Sequence, residues 1–295
     1  MSSDGYVTTA DGVRLFYRTL GTGVKTCVVP NGSFLFDDFK GLAADRTLIF
    51  YDPRNRGRSD SVSDPAKLQR GVHHDVEDLE AVRAHFTVAK MDVIGHSYLG
   101  LVVILYAIKY PDRVNRVVAI GAAQPDAAKQ YPAHLTGADA TQAEVWAKVG
   151  QIRQQGGDPA EMGKKIWQEM RVLWVVNPAD ADRVGAGVAG LPNESIGNVM
   201  KHWTANLFPS IQALGLTPQA LQKVQSPVLI IHGTRDRQSP YGGGRDWAAL
   251  LPNARLLTVE NAAHLPWIEA PEKVFDGIAA FLNGAWPEAS EKLRE

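Results

Sequence analysis

The sequence predicts an α/β fold, a mostly parallel central sheet flanked by helices and interrupted once by a helical segment. Three observations predict it. Short β-branched or aromatic runs (TCVVP, RTLIFYD, MDVIG, VNRVVAI, SPVLIIHG, ARLLTVE) recur without alternation, as strands covered on both faces do. Helical patterns separate several of them, the mark of βαβ crossovers. From about residue 125 to 225 helical periodicity takes over, as in EVWAKVGQIRQQ and MGKKIWQEMRVLWVV.

Each element follows in turn. YVTTADGVRLFYRTLG holds two alternating runs around Asp11-Gly12, a dipeptide suited to the positive φ angles of a tight hairpin. Two buried strands follow, around Cys27 and Leu48. HHDVEDLEAVRAHF places Val76, Leu79, Val82 and Phe86 at helical spacing, before the strand MDVIG. Residues 98 to 110, YLGLVVILYAIKY, are apolar almost all round and too long for a strand. They read as a buried central helix that Pro111 ends. Two strands return after the helical segment, and PEKVFDGIAAFL reads as the closing helix. The tail WPEASEKLRE is polar and is expected to be loosely held. Residues 1–124 and 226–295 then form the core domain, and residues 125–225 an insertion between the sixth and seventh core strands.

Composition narrows the function. The chain has 295 residues, 45% hydrophobic and 21% charged, with 31 basic and 32 acidic side chains and no long run of either sign. Such a balance leaves no electrostatic footprint for nucleic acid or an anionic membrane, and a small-molecule substrate is expected instead. No apolar stretch reaches the roughly 18 residues of a membrane span. The single cysteine, Cys27, cannot form an internal disulfide and reads as a small buried residue, which fits a reducing cytoplasm. MSSDGYVTTADG lacks a basic start and an apolar core, so no secretory leader is expected.

The chemistry centres on VIGHSYLGL, residues 93 to 101. A serine between a strand and a buried helix is either a plain N-cap or a nucleophile lifted to the carboxyl edge of the sheet. A nucleophilic serine needs a base, an acid to hold that base, and donors for the oxyanion. His264, in the loop after ARLLTVE, supplies the base; Asp236, just past VLIIHG, supplies the acid. The backbone N–H of Tyr98 is one expected oxyanion donor; the other is that of Ser33 or Phe34, after the Asn31-Gly32 turn, with Ser33 favoured. Asp126, in the loop after VVAIGAA, is a rival acid. His96 is expected to point to the opposite side of the turn as packing, and His232 to be structural. His73-His74 has no partners at ligand spacing, so no metal site is expected.

VIGHSYLG, YDPRNRGRSD, HGTRDRQSP and NAAHLPWIEAPEKV together resemble the α/β-hydrolase superfamily over nearly the whole chain. The resemblance implies an α/β-hydrolase fold with a helical cap at 125–225, a catalytic set of Ser97, Asp236 and His264, and no cofactor. Two departures stand out. The oxyanion loop begins Asn31-Gly32 where the family usually has His-Gly. The elbow carries Leu99 where its second glycine belongs, with Gly100 one residue late. Leu99 is expected to take its room from Gly121-Ala122-Ala123.

The insertion holds Trp146, Trp167, Trp174 and Trp203, which either line an apolar pocket or pack the insertion's own helices. Phe34, beside the oxyanion loop, is a further pocket candidate. The leading functional reading is a serine carboxylesterase or related acyl hydrolase, such as a lactonase, acting on a small apolar ester. A proline iminopeptidase is the second; it needs acids in the cap for the substrate amine, and Glu169 or Glu194 is placed for that. Its group usually has Gly-Gly-Ser-Trp-Gly at the elbow and His-Gly-Gly-Pro-Gly at the oxyanion loop, which this chain lacks. A third is a non-catalytic ligand-binding protein on the same scaffold.

Overall fold

Runs without alternation become strands with both faces covered. In the computed structural model, which describes residues 2–194 and 196–293, every residue of β5 (Met91–His96) and β7 (Val228–Gly233) is buried. They belong to a nine-stranded sheet with β1 (Ser2–Thr8), β2 (Arg14–Leu20), β3 (Lys25–Pro30), β4 (Arg46–Tyr51), β6 (Val114–Ile120), β8 (Ala254–Val259) and β9 (Ser290–Glu291). The order is β1-β2-β4-β3-β5-β6-β7-β8-β9. From β4 to β8 in that order all neighbours are parallel, and the outer pairs are antiparallel. Parallel strand ends therefore gather on one carboxyl edge.

Two differences from expectation lie at the margins. Between β1 and β2 only Gly12 takes a positive φ, 80°, and Asp11 does not. Thr9 instead closes a wider turn, its N–H bonding Val13 O at 2.9 Å and its Oγ1 bonding Asp11 Oδ1 at 2.5 Å. Up to residue 293 the C-terminal tail is docked rather than loose; residues 294 and 295 lie outside the described residues. β9 pairs with β8, and Trp286 lies against Phe281 with the Arg255 guanidinium over its ring.

Alternation along the strands divides the core. Val28 and Val93 face a layer built from α2 (Val72–His85), α3 (Tyr98–Lys109) and α9 (Tyr241–Leu250), through Leu79, Val102 and Trp247. Cys27 and Ile94 face the other layer, from α1 (Gly32–Phe39), α10 (Pro266–Glu269) and α11 (Pro271–Leu282), through Leu35, Trp267 and Ile278. Helix α3 is sandwiched against β5 and β6, so residues 99–107 are all buried. That explains its lack of a polar face.

Between β6 and β7 the described residues contain no strand. They form α4 (Ala140–Gln155), α5 (Pro159–Met170), α6 (Ile196–His202), α7 (Phe208–Gln212) and α8 (Pro218–Leu221), joined by short 3₁₀ turns and one π turn at Trp203–Leu207. Val145, Val149, Ile166 and Leu173 pack these helices against one another as a separate small core.

Candidate active site

β5 ends at His96 and α3 begins at Tyr98, which leaves Ser97 alone to turn the chain. Its backbone sits at φ 58°, ψ −128°, a strained region costing about 1–3 kcal/mol for a residue with a side chain. The turn is tied on both sides. Ser97 N–H donates to Ile120 O at 2.8 Å, and Ser97 O accepts from Gly100 (2.9 Å) and Ala123 (3.2 Å). Gly95 is required, because a Cβ there would stand 2.1 Å from the carbonyl oxygen of Leu99.

Gly100 is close-packed on the residues after β6, where a Cβ would meet Ala122 Cβ at 2.9 Å. Leu99, 5% exposed, shares a buried cluster with Ala122 and lines a cavity with Ser97 and Ala123.

His264 and Asp236 converge on Ser97 from the loops after β8 and β7. His264 Nδ1 lies 2.7 Å from Asp236 Oδ2, and its Nε2 lies 2.8 Å from Ser97 Oγ. A carboxylate only accepts, so Nδ1 carries the proton and Nε2 accepts from the serine hydroxyl. Burial pushes the fully enclosed Asp236 carboxyl upward. The His264 imidazole and the hydrogen bonds of His232 and His264 outweigh that and hold it well below the usual carboxylate range. Its second oxygen accepts the N–H groups of Gln238 (2.8 Å) and Ser239 (2.9 Å). His232 is structural, as expected, with Nε2 2.9 Å from Ser239 O and 3.3 Å from Asp236 Oδ2. Asp126 is exposed and turns back on its own loop, accepting from Ala128 N–H at 2.9 Å.

Two expectations about neighbours are corrected. His96 does not point away: its ring sits 4.6 Å from that of His264, and its Nε2–H donates to the His264 carbonyl at 2.9 Å. Burial, then the neighbouring His264, push its pKa well down, so His96 is a neutral brace for the His264 loop. Ser33 does not offer its N–H to the site. That N–H donates to Asp52 Oδ1 at 2.7 Å and its hydroxyl to Asp52 Oδ2 at 2.6 Å. Asp52 is fully buried and also accepts from Arg58 N–H at 2.9 Å. The chain turns at Asn31 straight into α1, and this carboxylate claims one of the helix's first N–H groups. By contrast Tyr98 N–H begins α3, where helix geometry leaves it without an intrahelical acceptor.

Ser97 opens on a cavity of about 1180 Å³ whose lining includes Phe34 and all four tryptophans of the 125–225 segment. Trp174 stands edge-on to His264 at 5.0 Å and also touches Phe34 and Trp167. One end of the cavity is polar. There Tyr98 Oη donates to Asp75, a carboxyl that burial and then Asp78 push up to about 7. Glu194 also lines this end, but Arg56 Nε (2.9 Å) and Gly57 N–H (2.8 Å) already occupy it. Glu169 is not among the lining residues and pairs with Lys148 at 3.2 Å.

Sequence reasoning missed Gly121, whose φ of 51° brings its backbone against the His264 and Asp236 side chains. A glycine closing a buried strand was the available signal. It also missed what Asp52 and Asp75 do, because buried partners 19 and 23 residues away leave no local pattern. Among the described residues no group of three His, Cys, Asp or Glu side chains is placed to hold a metal ion. No helix among them is long and apolar enough to cross a membrane.

Known proteins share this arrangement of strands and helices. The bifunctional esterase/perhydrolase DCH of Acinetobacter calcoaceticus is 27% identical over 95% of this chain and 99% of its own length. The proline iminopeptidase of Heyndrickxia coagulans is 24% identical over 96% and 99%. Among solved structures, the esterase EaEST of Exiguobacterium antarcticum superposes with a TM-score of 0.71 at 17% identity, covering 96% of this chain and all of that one. The family model for the alpha/beta hydrolase fold matches residues 34–271, and the chain belongs to that family.

Proposed function

We propose that the protein is a serine hydrolase that cleaves a small, largely apolar carboxylic ester or lactone through an acyl-enzyme on Ser97. One observation carries the reading: Ser97 Oγ, His264 and Asp236 form an unbroken hydrogen-bonded line, 2.8 and 2.7 Å per step, that opens on an aromatic cavity.

In this reading His264 Nε2 takes the hydroxyl proton as Ser97 Oγ attacks the ester carbonyl. Asp236 holds the ring and stabilises the imidazolium, and Tyr98 N–H donates to the oxyanion. His264 then protonates the departing alcohol and later activates the water that releases the acid. The chemistry calls on no metal or organic cofactor. Residues 125–225 act as a cap, supported by the four tryptophans they turn toward the cavity. The esterase activity named for the Acinetobacter relative fits this reading. With its one cysteine buried at Cys27, we place the protein in the cytoplasm.

The iminopeptidase reading, which the Heyndrickxia relative's name raises, ranks second. Glu169 lies off the cavity and Glu194 is neutralised by Arg56, so neither presents a free carboxylate to an amine. A fluorophosphonate probe tests the enzyme readings directly. Ser97 is expected to be labelled in the native protein, and Ser97→Ala to lose labelling and roughly a thousand-fold or more of its ester turnover. A native protein that takes no label would leave only a non-catalytic ligand binder. Aryl esters against proline arylamides then separate esterase from peptidase.

A further inference from the structure

With Ser33 N–H held by Asp52, the donor expected from the loop after β3 is occupied. The N–H groups of Phe34 and Leu35 are occupied too, both bonded to Asn31 O at 3.0 Å. The Asn31 side chain is a further polar group at this turn. We propose that the Asn31 side-chain amide is the second oxyanion donor, stabilising the tetrahedral intermediate of acyl transfer together with Tyr98 N–H. This rests on Ser97 being the nucleophile.

Four observations place it. Strands β3 and β5 are parallel neighbours with Val28 level with Val93; three residues on, Asn31 comes level with His96, one residue before Ser97. Adjacent strands are about 4.8 Å apart. Asn31 lines the same cavity as Ser97 and His264, and Phe34 from its loop stacks on the His96 ring, 7° from parallel. Asn31 is only 9% exposed, yet among the described residues its amide has no hydrogen-bond partner. Its Oδ1 is sealed without a partner. Finally, Asn31 stands at the N-cap of α1 without making a capping bond. A buried polar group left unpaired costs about 1–3 kcal/mol, and neither helix capping nor an internal partner offsets it here. A developing oxyanion, itself an acceptor, would pair with Nδ2–H and not with the sealed Oδ1.

The step is ordinary acyl transfer. Ser97 Oγ bonds to the carbonyl carbon, its proton passes to His264 Nε2, and the carbonyl π electrons move to the oxygen. The Asn31 amide N–H meets that oxygen when it becomes charged. A side-chain amide in this role acts mainly on the transition state and little on the bound ester.

The plain alternative is that asparagine is here for its backbone, since φ 68°, ψ 46° is left-handed and suits asparagine. Glycine suits it at least as well, so Asn31→Gly separates the two. With p-nitrophenyl butyrate, Asn31→Gly and the same-shaped Asn31→Asp are each expected to lower kcat by about a hundred-fold, with KM changed by less than about three-fold. Affinity for an alkyl trifluoromethyl ketone, which forms a tetrahedral adduct on serine, should fall by the same factor as kcat/KM. If the glycine variant does not fold, the aspartate variant carries the same comparison. A folded variant that keeps kcat, or loses kcat while binding the ketone normally, overturns the assignment. Turnover persisting in Ser97→Ala would instead overturn the nucleophile beneath it.

Discussion

Gly121 packs so closely on His264 that any side chain there would press on the imidazole. A Cβ at Gly121 would stand 3.2 Å from His264 Nδ1 and 3.3 Å from Asp236 Oδ2, on a backbone already at φ 51°. The bond that orients the imidazole thus rests on a bare backbone. Gly121→Ala should cost about 1 kcal/mol or more in stability and push the ring off Ser97. Esterase kcat is expected to fall by at least about ten-fold with KM little changed; a variant with native kcat would show that the contact is slack.

Asp236 and Asp126 separate cleanly by substitution. Asp236→Asn leaves the shape but lets His264 adopt the wrong tautomer, and kcat should drop by about four orders of magnitude. Asp126→Asn alters only its own exposed loop and should leave kcat within about two-fold. Steady-state rates on one aryl ester decide it, and a reversed ranking would move the acid to the β6 loop.

Asp75 links stability to pH. Its folded pKa of about 7 lies above the ordinary 3.8, raised by burial first and then by Asp78, against the pull of Tyr98, Arg54 and Arg56. A carboxyl raised on folding favours the fold while it is protonated. That contribution is complete below about pH 4 and is lost as pH rises through 7. The loss is on the order of 4 kcal/mol by linkage. Asp75→Asn keeps an acceptor for Tyr98 Oη and cannot ionise, so its unfolding free energy should decline less than the native protein's between pH 4 and 8. Parallel urea titrations would show the difference, and identical slopes would refute it.

Trp174 covers His264 edge-on and joins Phe34 to Trp167 across the cavity. Removing that ring by Trp174→Ala should reduce kcat/KM for aryl esters by about ten-fold. The loss should grow with acyl length, as longer chains bury more surface against the ring. A series of p-nitrophenyl esters of rising chain length would reveal the gradient.

The layered sheet was legible because buried parallel strands write themselves as unbroken apolar runs, and α3 betrayed itself by lacking a polar face. The three residues of the hydrogen-bonded line were legible for a related reason: each sits just past a strand, where chain order alone says which loop it occupies. The oxyanion loop was not. Whether Ser33 N–H is free depends on Asp52, brought to it by β4 lying beside β3, and no pattern within either stretch records that pairing. His96 was misplaced likewise, since its partner is a carbonyl 168 residues away. The tail was misjudged from polarity alone, although two residues of backbone pairing and one tryptophan suffice to dock it.

Leu99 occupies the position that a glycine would leave empty, two residues past Ser97, and its side chain forms part of the chamber wall. The displaced glycine is therefore more than a spelling variant of the elbow. It shifts helix clearance onto Gly100 and frees position 99 to carry bulk. Bulk beside Ser97 is consequently written into α3 itself, an element buried along its whole length from 99 to 107.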